Sequence, residues 1–160
     1  MAHPAGQTNP KNRASAGPDS YIAHAVASLR HSGLRITTPR MLVLRALANS
    51  DQCLTAYGLH ERITKDGAHI DVASVYRILT TLSELGLVHR IGVLDGFTAC
   101  RQFHEHQDQV QHWVCQECGK VVEVAMAHAE AETLVGRAKQ GGFVPKTVHV
   151  EVVGLCAQCQ

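Results

Sequence analysis

No apolar run in this 160-residue chain approaches the roughly 20 residues that a membrane-crossing helix needs, so no membrane association is expected. The N-terminus also lacks the apolar core of about 7–15 residues that marks a secretory signal, and a reduced, cytoplasmic setting is expected. In such a setting six cysteines favour metal binding over disulfides. A strong charge excess is missing too. The net charge is +1, so whole-chain electrostatics do not by themselves announce nucleic-acid binding. A milder asymmetry lies beneath that figure: residues 1–100 hold 10 Lys and Arg against 7 Asp and Glu, whereas residues 101–160 hold 5 against 7. With aromatics at 4%, charged residues at 18% and hydrophobic residues at 45%, the composition is that of an ordinary soluble chain with room for one or two small domains.

What is present is most conspicuous near the C-terminus. Cys115 and Cys118 form one C-x-x-C pair, and Cys156 and Cys159 form a second. Two intervening residues let both sulfurs of a pair turn towards a common point, and two pairs close a tetrahedral shell on one ion. A structural zinc is therefore expected at Cys115, Cys118, Cys156 and Cys159. Gly119 suits the tight turn this requires. The competing reading is two disulfides or a redox pair, but neither pair opens a helix as a thioredoxin-like motif should. A shell closed by four cysteines leaves no open coordination position, and the chain has no His-Glu-x-x-His helix. An enzyme is not expected, nor is a small-molecule substrate.

In chain order, residues 1–20 are polar and rich in Pro and Gly, and read as a disordered tail. A first amphipathic helix is expected from about Tyr21 to Ser32, with Ile22, Val26 and Leu29 inward. Thr38 and Pro39 open a second, lined by Met41, Leu44, Leu47 and Ala48; a third follows Thr55. The fourth is capped by Asp71 or Ser74, buries Val72, Val75, Leu79 and Leu82, and ends at Gly86. Its other face presents Ser74, Tyr76, Arg77, Thr80 and Thr81, residue types that bond base edges and phosphates but are more often merely solvated. Leu87–Ile91 and Phe97–Cys100, separated by a turn at Asp95-Gly96, read as a hairpin. Helices followed by a two-stranded hairpin describe a winged helix-turn-helix, whose last helix enters the major groove of double-stranded DNA. Farther on, Val121, Val122 and Val124 read as a strand, Ala127–Lys139 as a helix with Leu134 and Val135 inward, and Phe143–Val153 as a strand.

Between Cys100 and Cys115 lie His104, Glu105, His106, Asp108 and His112. Any one of these reads as a solvated linker side chain. Together with the unpaired Cys100 and the upstream His89, which the hairpin can bring alongside, a second metal shell becomes the better account. Thiolate combined with imidazole suits zinc, whereas iron or manganese favours nitrogen and oxygen donors.

The run Asp71-Val-Ala-Ser-Val-Tyr-Arg-Ile-Leu-Thr-Thr-Leu, the Gly86-Leu-Val-His-Arg after it, and His112-Trp-Val-Cys-Gln-Glu-Cys-Gly-Lys-Val with the closing Cys156-x-x-Cys159 resemble the ferric-uptake-regulator family, and within it the zinc-uptake branch. The resemblance spans residues 21–160. It implies an α+β homodimer: a winged-helix DNA-binding domain at residues 21–101, a hinge at 102–112, and an α/β dimerisation domain with a four-cysteine zinc at 113–160. It also implies a metal-dependent repressor that binds operator DNA when a hinge site is filled and controls zinc-uptake genes, with about two Zn2+ per chain, one structural and one regulatory. Glu123 lies where the family places a hinge ligand. The expected regulatory shell is His89, Cys100, His106 and Glu123, with His104, Asp108 and His112 competing for the place of His106. Tyr76 and Arg77 become the expected base contacts, Ser74 and Thr80 their neighbours, and Arg35 and Arg40 the backbone contacts. The stretch Arg35-Ile-Thr-Thr-Pro-Arg40 departs from the family pattern by displacing the proline one residue. The alternative is a member of the same family that senses iron, another metal, or peroxide through thiol oxidation.

Overall fold

Leucines, valines and small alanines at three- and four-residue spacing dictate the first half of the molecule, which in the computed structural model is described over residues 17–103, with residues 110–160 described beyond. Four helices run in order: α1 Pro18–His31, α2 Thr38–Ala48, α3 Ala56–Lys65 and α4 Val72–Glu84. Helix α1 begins at Pro18, inside the stretch expected to be disordered, because proline is preset for a first helical turn. Its buried face is Tyr21, Ala25 and Leu29; Ile22 and Val26 sit half-exposed beside it. The stripe is rotated from the one expected because the Tyr21 hydroxyl finds a partner inside, donating 3.0 Å to the Leu87 carbonyl. In α2 the N-cap is Thr37 rather than Thr38, and Pro39 falls in the first turn. Asp71, not Ser74, caps α4, its carboxylate accepting from the Ser74 amide at 2.8 Å. Ile78 takes the buried place expected for Val72. Leu29, Leu44, Leu47, Leu59, Leu79, Leu82 and Leu87 are fully buried together, and each such leucine contributes about 1.5–3 kcal/mol of transfer free energy.

The hairpin follows α4 directly. Strand β1 Val88–Ile91 pairs antiparallel with β2 Gly96–Ala99, and a single 3-10 turn, Gly92–Leu94, joins them. Leu54 and Phe97 exchange backbone bonds at 3.0 and 2.8 Å, so the α2–α3 connection lies along the edge of this wing. Gly96 permits the approach: a Cβ there would strike the Cys53 sulfur and stand 3.0 Å from the Leu54 carbonyl oxygen. Leu87, Val88 and Ala99 belong to the helical core, so wing and helices form one packed unit.

The second unit is a three-stranded sheet of order β4-β3-β5, made of β3 Val110–Cys115, β4 Val121–Ala125 and β5 Val150–Gly154, with α5 His128–Gln140 between β4 and β5. β3 is central, antiparallel to β4 and parallel to β5. Residues 110–112, expected as hinge, are therefore strand. The expected strand from Phe143 begins only at Val150, and Phe143 and Val144 are exposed. On α5 only Ala131 is buried; Leu134, expected inward, is 39% exposed.

Register gives this sheet two unlike faces. Trp113 pairs with Val122 and Val152, all three substantially exposed, in one row across the sheet. One residue away, His112 pairs with Glu123 and Glu151 on the opposite face. The polar face meets the winged unit through Glu123 and Glu151, whereas the apolar row stays substantially exposed among the described residues.

Candidate metal centres and nucleic-acid interface

The end of β3 and the end of β5 lie side by side because the two strands are parallel neighbours, with Cys115 opposite Gly154. Each strand runs into a C-x-x-C turn. Gly119, at φ +71°, closes the first by donating 2.9 Å to the Cys115 carbonyl, and Cys159 donates 2.9 Å to the Cys156 carbonyl in the second. The four sulfurs of Cys115, Cys118, Cys156 and Cys159 all lie within 4.8 Å of one another, and Cys118 and Cys156 are 3.8 Å apart. Sulfurs about 2.3 Å from a tetrahedral centre stand roughly 3.8 Å apart, so the spacing fits a zinc ion. Amide hydrogen bonds, first from Cys118 and then from Cys156, pull the Cys115 thiol down to about 6, whereas side-chain hydrogen bonds, first with Cys156 and then with Cys118, push Cys159 up to about 12.

The second cluster is assembled from three strands and both units. His89 comes from β1, Cys100 from the residue after β2, and Glu123 from β4; one donor atom of each lies within 4.8 Å of the others. His89 Nε2 is 3.1 Å from Glu123 Oε1, which in turn is 3.6 Å from the Cys100 sulfur. Burial opposes a charge on His89, but Cys100 and Glu123 outweigh it and raise the imidazole to about 9. A divalent cation suits this set: two donors are anionic when deprotonated, one is a soft thiolate, and the third a nitrogen. His112 lies beside them, its ring centroid 4.7 Å from that of His89. It is buried on the sheet, lowered to about 4 by that burial and by the neighbouring His89, and its Nε2 has no hydrogen-bond partner among the described residues. It does not converge with the three donors. Of the other expected ligands, His104, His106 and Asp108 lie outside the described residues.

The fourth helix displays the expected face. Tyr76 is 47% exposed, and Arg77 donates 2.9 Å to the Ser74 hydroxyl, which donates 2.6 Å to Asp71. The cap of α4 thus holds Ser74 and Arg77 in one chain of bonds. Thr80 turns back to the Tyr76 carbonyl at 3.0 Å. Arg35 and Arg40 line the neighbouring groove with Ser74 and Arg77, and the Arg40 guanidinium donates to the Arg35 carbonyl.

Residues of the contact between units carry no sequence motif, Arg101, Glu151 and Gln52 among them. Arg101, next to Cys100, donates its amide to Glu123 Oε2 at 3.1 Å and its guanidinium to the carbonyls of Ala48 and Ser50 at 3.0 and 2.8 Å. Glu151 accepts from the amides of Gly92 and Val93. Gln52 donates 2.8 Å to the Cys118 carbonyl. The only signal available was position: Arg101 follows a candidate ligand, and Glu151 breaks a run of valines.

Comparison with known proteins agrees with this geometry. The profile of the ferric uptake regulator family matches residues 31–153. A peroxide-responsive repressor, PerR, of Staphylococcus aureus is 29% identical over 140 residues, covering 87% of this chain and 91% of its own. A zinc uptake regulator solved with zinc and DNA superposes with a TM-score of 0.77 at 26% identity, over 88% of this chain and 93% of that one. Holo XcZur, 31% identical, superposes at 0.73 over 88% and 96% of the two chains; its apo form, matched over 89% and 97%, superposes at only 0.51.

Proposed function

The chain belongs to the ferric uptake regulator family, and from that membership and the two clusters we infer that it is a zinc-responsive repressor which binds operator DNA as a homodimer and controls zinc uptake. The observation that carries the reading is the cluster of His89, Cys100 and Glu123, which draws donors from the wing and from the C-terminal sheet. Residues 21–101 act as the DNA-binding domain, the following segment to 112 as the hinge, and 113–160 as the dimerisation domain, with the apolar row Val122–Trp113–Val152 against a second copy. Cys115, Cys118, Cys156 and Cys159 hold a permanent zinc, and His89, Cys100 and Glu123, completed by His106, hold an exchangeable one.

Bound there, a divalent cation supplies charge neutralisation and directional coordination to the three strands at once. Wing and sheet can share it only in the arrangement that brings their donors together. That arrangement is thereby favoured, and a differential affinity of about 5.5 kcal/mol suffices for a near-complete switch. The likeness to holo rather than apo XcZur supports the present arrangement as the switched one. Tyr76 and Arg77 of α4 then meet base edges, with Ser74, Thr80, Arg35 and Arg40 around them on the phosphates. Zinc titration of the DNA affinity of wild type, Cys100→Ser and His106→Ala tests this; equal affinity of wild type with and without free zinc sinks it.

A second reading has one observation in its favour, the similarity to PerR. It makes the protein a peroxide-responsive regulator in which the hinge takes a different metal or Cys100 is oxidised. DNA release by micromolar peroxide at constant zinc would select it.

A further inference from the structure

The winged unit meets the C-terminal sheet at the hinge cluster and along the α2–α3 connection, where Gln52 pairs with Lys120 and Cys53 donates 2.8 Å to the Gly119 carbonyl. A further attachment lies at the turn of the wing itself. Glu151, on β5, directs both carboxylate oxygens at the turn of the wing: Oε1 accepts the Gly92 amide at 2.6 Å and Oε2 the Val93 amide at 3.0 Å. These amides open the 3-10 turn Gly92–Leu94 and have no acceptor within it. The carboxylate makes two charge-assisted bonds there, the strong kind. The cap that a local side chain would ordinarily provide here comes instead from the other unit.

Its position ties it to the hinge. Glu123, His112 and Glu151 form one row across β4, β3 and β5. One end of the row holds the hinge cluster through Glu123, and the other holds the wing turn through Glu151. The wing in turn moves with α4, because Leu87 and Val88 pack in the same core as Leu79 and Leu82. These two attachments on one row, with the contacts of the α2–α3 connection beside them, set the direction in which α4 faces.

We propose that Glu151 is a positioning residue for DNA binding, a latch that holds the wing turn on the C-terminal sheet and so orients α4. The latch rests on the zinc-responsive reading above. It belongs to the arrangement that superposes well on holo XcZur and poorly on its apo form.

The test uses the full-length, zinc-loaded protein and, as probe, the duplex that wild type selects from a random pool in the presence of zinc. Glu151→Ala removes the acceptor. Gly92→Pro breaks the same contact from the opposite side, at the first position of the turn and after the extended Ile91: it removes the Gly92 N–H and puts a ring carbon in its place, against Glu151 Oε1. Each single variant should keep its four-cysteine zinc and its circular dichroism while binding the probe roughly tenfold more weakly, as loss of a charge-assisted bond implies. Glu151→Gln should fall between Glu151→Ala and wild type. The double variant should bind no more weakly than either single one, since both break the same contact. In Glu151→Ala the amides of Gly92 and Val93 should exchange faster with solvent. Probe affinity equal to wild type, or losses that add in the double variant, would overturn the latch. If wild type itself binds the probe equally with and without zinc, the zinc-responsive reading fails instead, and unaltered exchange at Gly92 and Val93 then counts against the latch separately.

Discussion

The two metal-competent clusters differ in what they connect. Cys115, Cys118, Cys156 and Cys159 lie on two turns at the same end of one sheet, so an ion held there joins strands that already pair along five residues. His89, Cys100 and Glu123 belong to the wing on one side and the sheet on the other, with no strand pairing between them. On the reading proposed above, loss of an ion from four thiolates of one unit should unfold a region, and its loss from three mixed donors of two units should change an arrangement. Donor chemistry follows the same division. The four sulfurs close a shell on their own, whereas the hinge cluster depends on where its two halves stand.

The largest effect should follow from breaking the closed shell. Cys118→Ser should abolish zinc at the four-cysteine site and unfold the C-terminal sheet, because structural zinc is worth on the order of 10 kcal/mol of folding free energy. Zinc content and circular dichroism check it. A well-folded variant holding one zinc per chain at this site would erase the distinction drawn above. Cys100→Ser should do the opposite: fold and melting temperature preserved, the second zinc weakened by more than the roughly 10–100-fold that an outer-shell partner is worth. Competition with a chelator of graded strength reads this directly, since wild type should surrender one zinc early and the other only on unfolding.

A third variant separates the sheet's two faces. Trp113 is 49% exposed and stands between Val122 and Val152, one residue from buried His112. Trp113→Asp should weaken self-association by a hot-spot value of about 2 kcal/mol, roughly thirtyfold in dissociation constant, without touching either cluster. Sedimentation at several concentrations measures it. A dimer of unchanged affinity would place the interface elsewhere.

These contrasts also explain what could be read from the chain alone. The four cysteines were legible because their spacing is local and their chemistry narrow. The hairpin brought His89 and Cys100 together in sequence terms, since the residues beside them, Val88 and Ala99, are paired. His112 was read only as a hinge residue competing for the regulatory shell, because Gln111 and His112 break the alternation of Val110–Cys115 and a histidine facing another unit looks the same as a histidine facing water. The early start of α1 was hidden by the Pro- and Gly-rich composition around Pro18, and the outward Leu134 by the assumption that a helix buries its apolar residues within its own chain. Glu151 and the Arg101 guanidinium stayed invisible for one reason: they bond to backbone groups, Glu151 to amides of the opposite unit and Arg101 to carbonyls at the end of α2, and no residue pattern encodes an acceptor or donor that every residue possesses.

Arg101 supplies the finest test, because its two kinds of contact differ in worth. Its side chain is 17% exposed and donates to the carbonyls of Ala48 and Ser50, at the end of α2, while also pairing with Asp51 at 3.2 Å. The carbonyls lie where α2 leaves its last acceptors unsatisfied within the helix, so a cation there is doubly placed. Asp51, by contrast, is 73% exposed, and an ion pair with so wet a partner is worth a few tenths of a kcal/mol at most. Arg101→Ala should therefore cost about 1–3 kcal/mol, a fall of several degrees in melting temperature, while the bond from the backbone amide of residue 101 to Glu123 survives the change. Asp51→Ala should shift melting by no more than about 2 °C and leave zinc binding as it was, because the bond from the Val121 amide goes to the backbone carbonyl of residue 51 and survives the change. Equal losses from the two variants would mean that the ion pair, and not the capping of α2, carries the contact between hinge and helices.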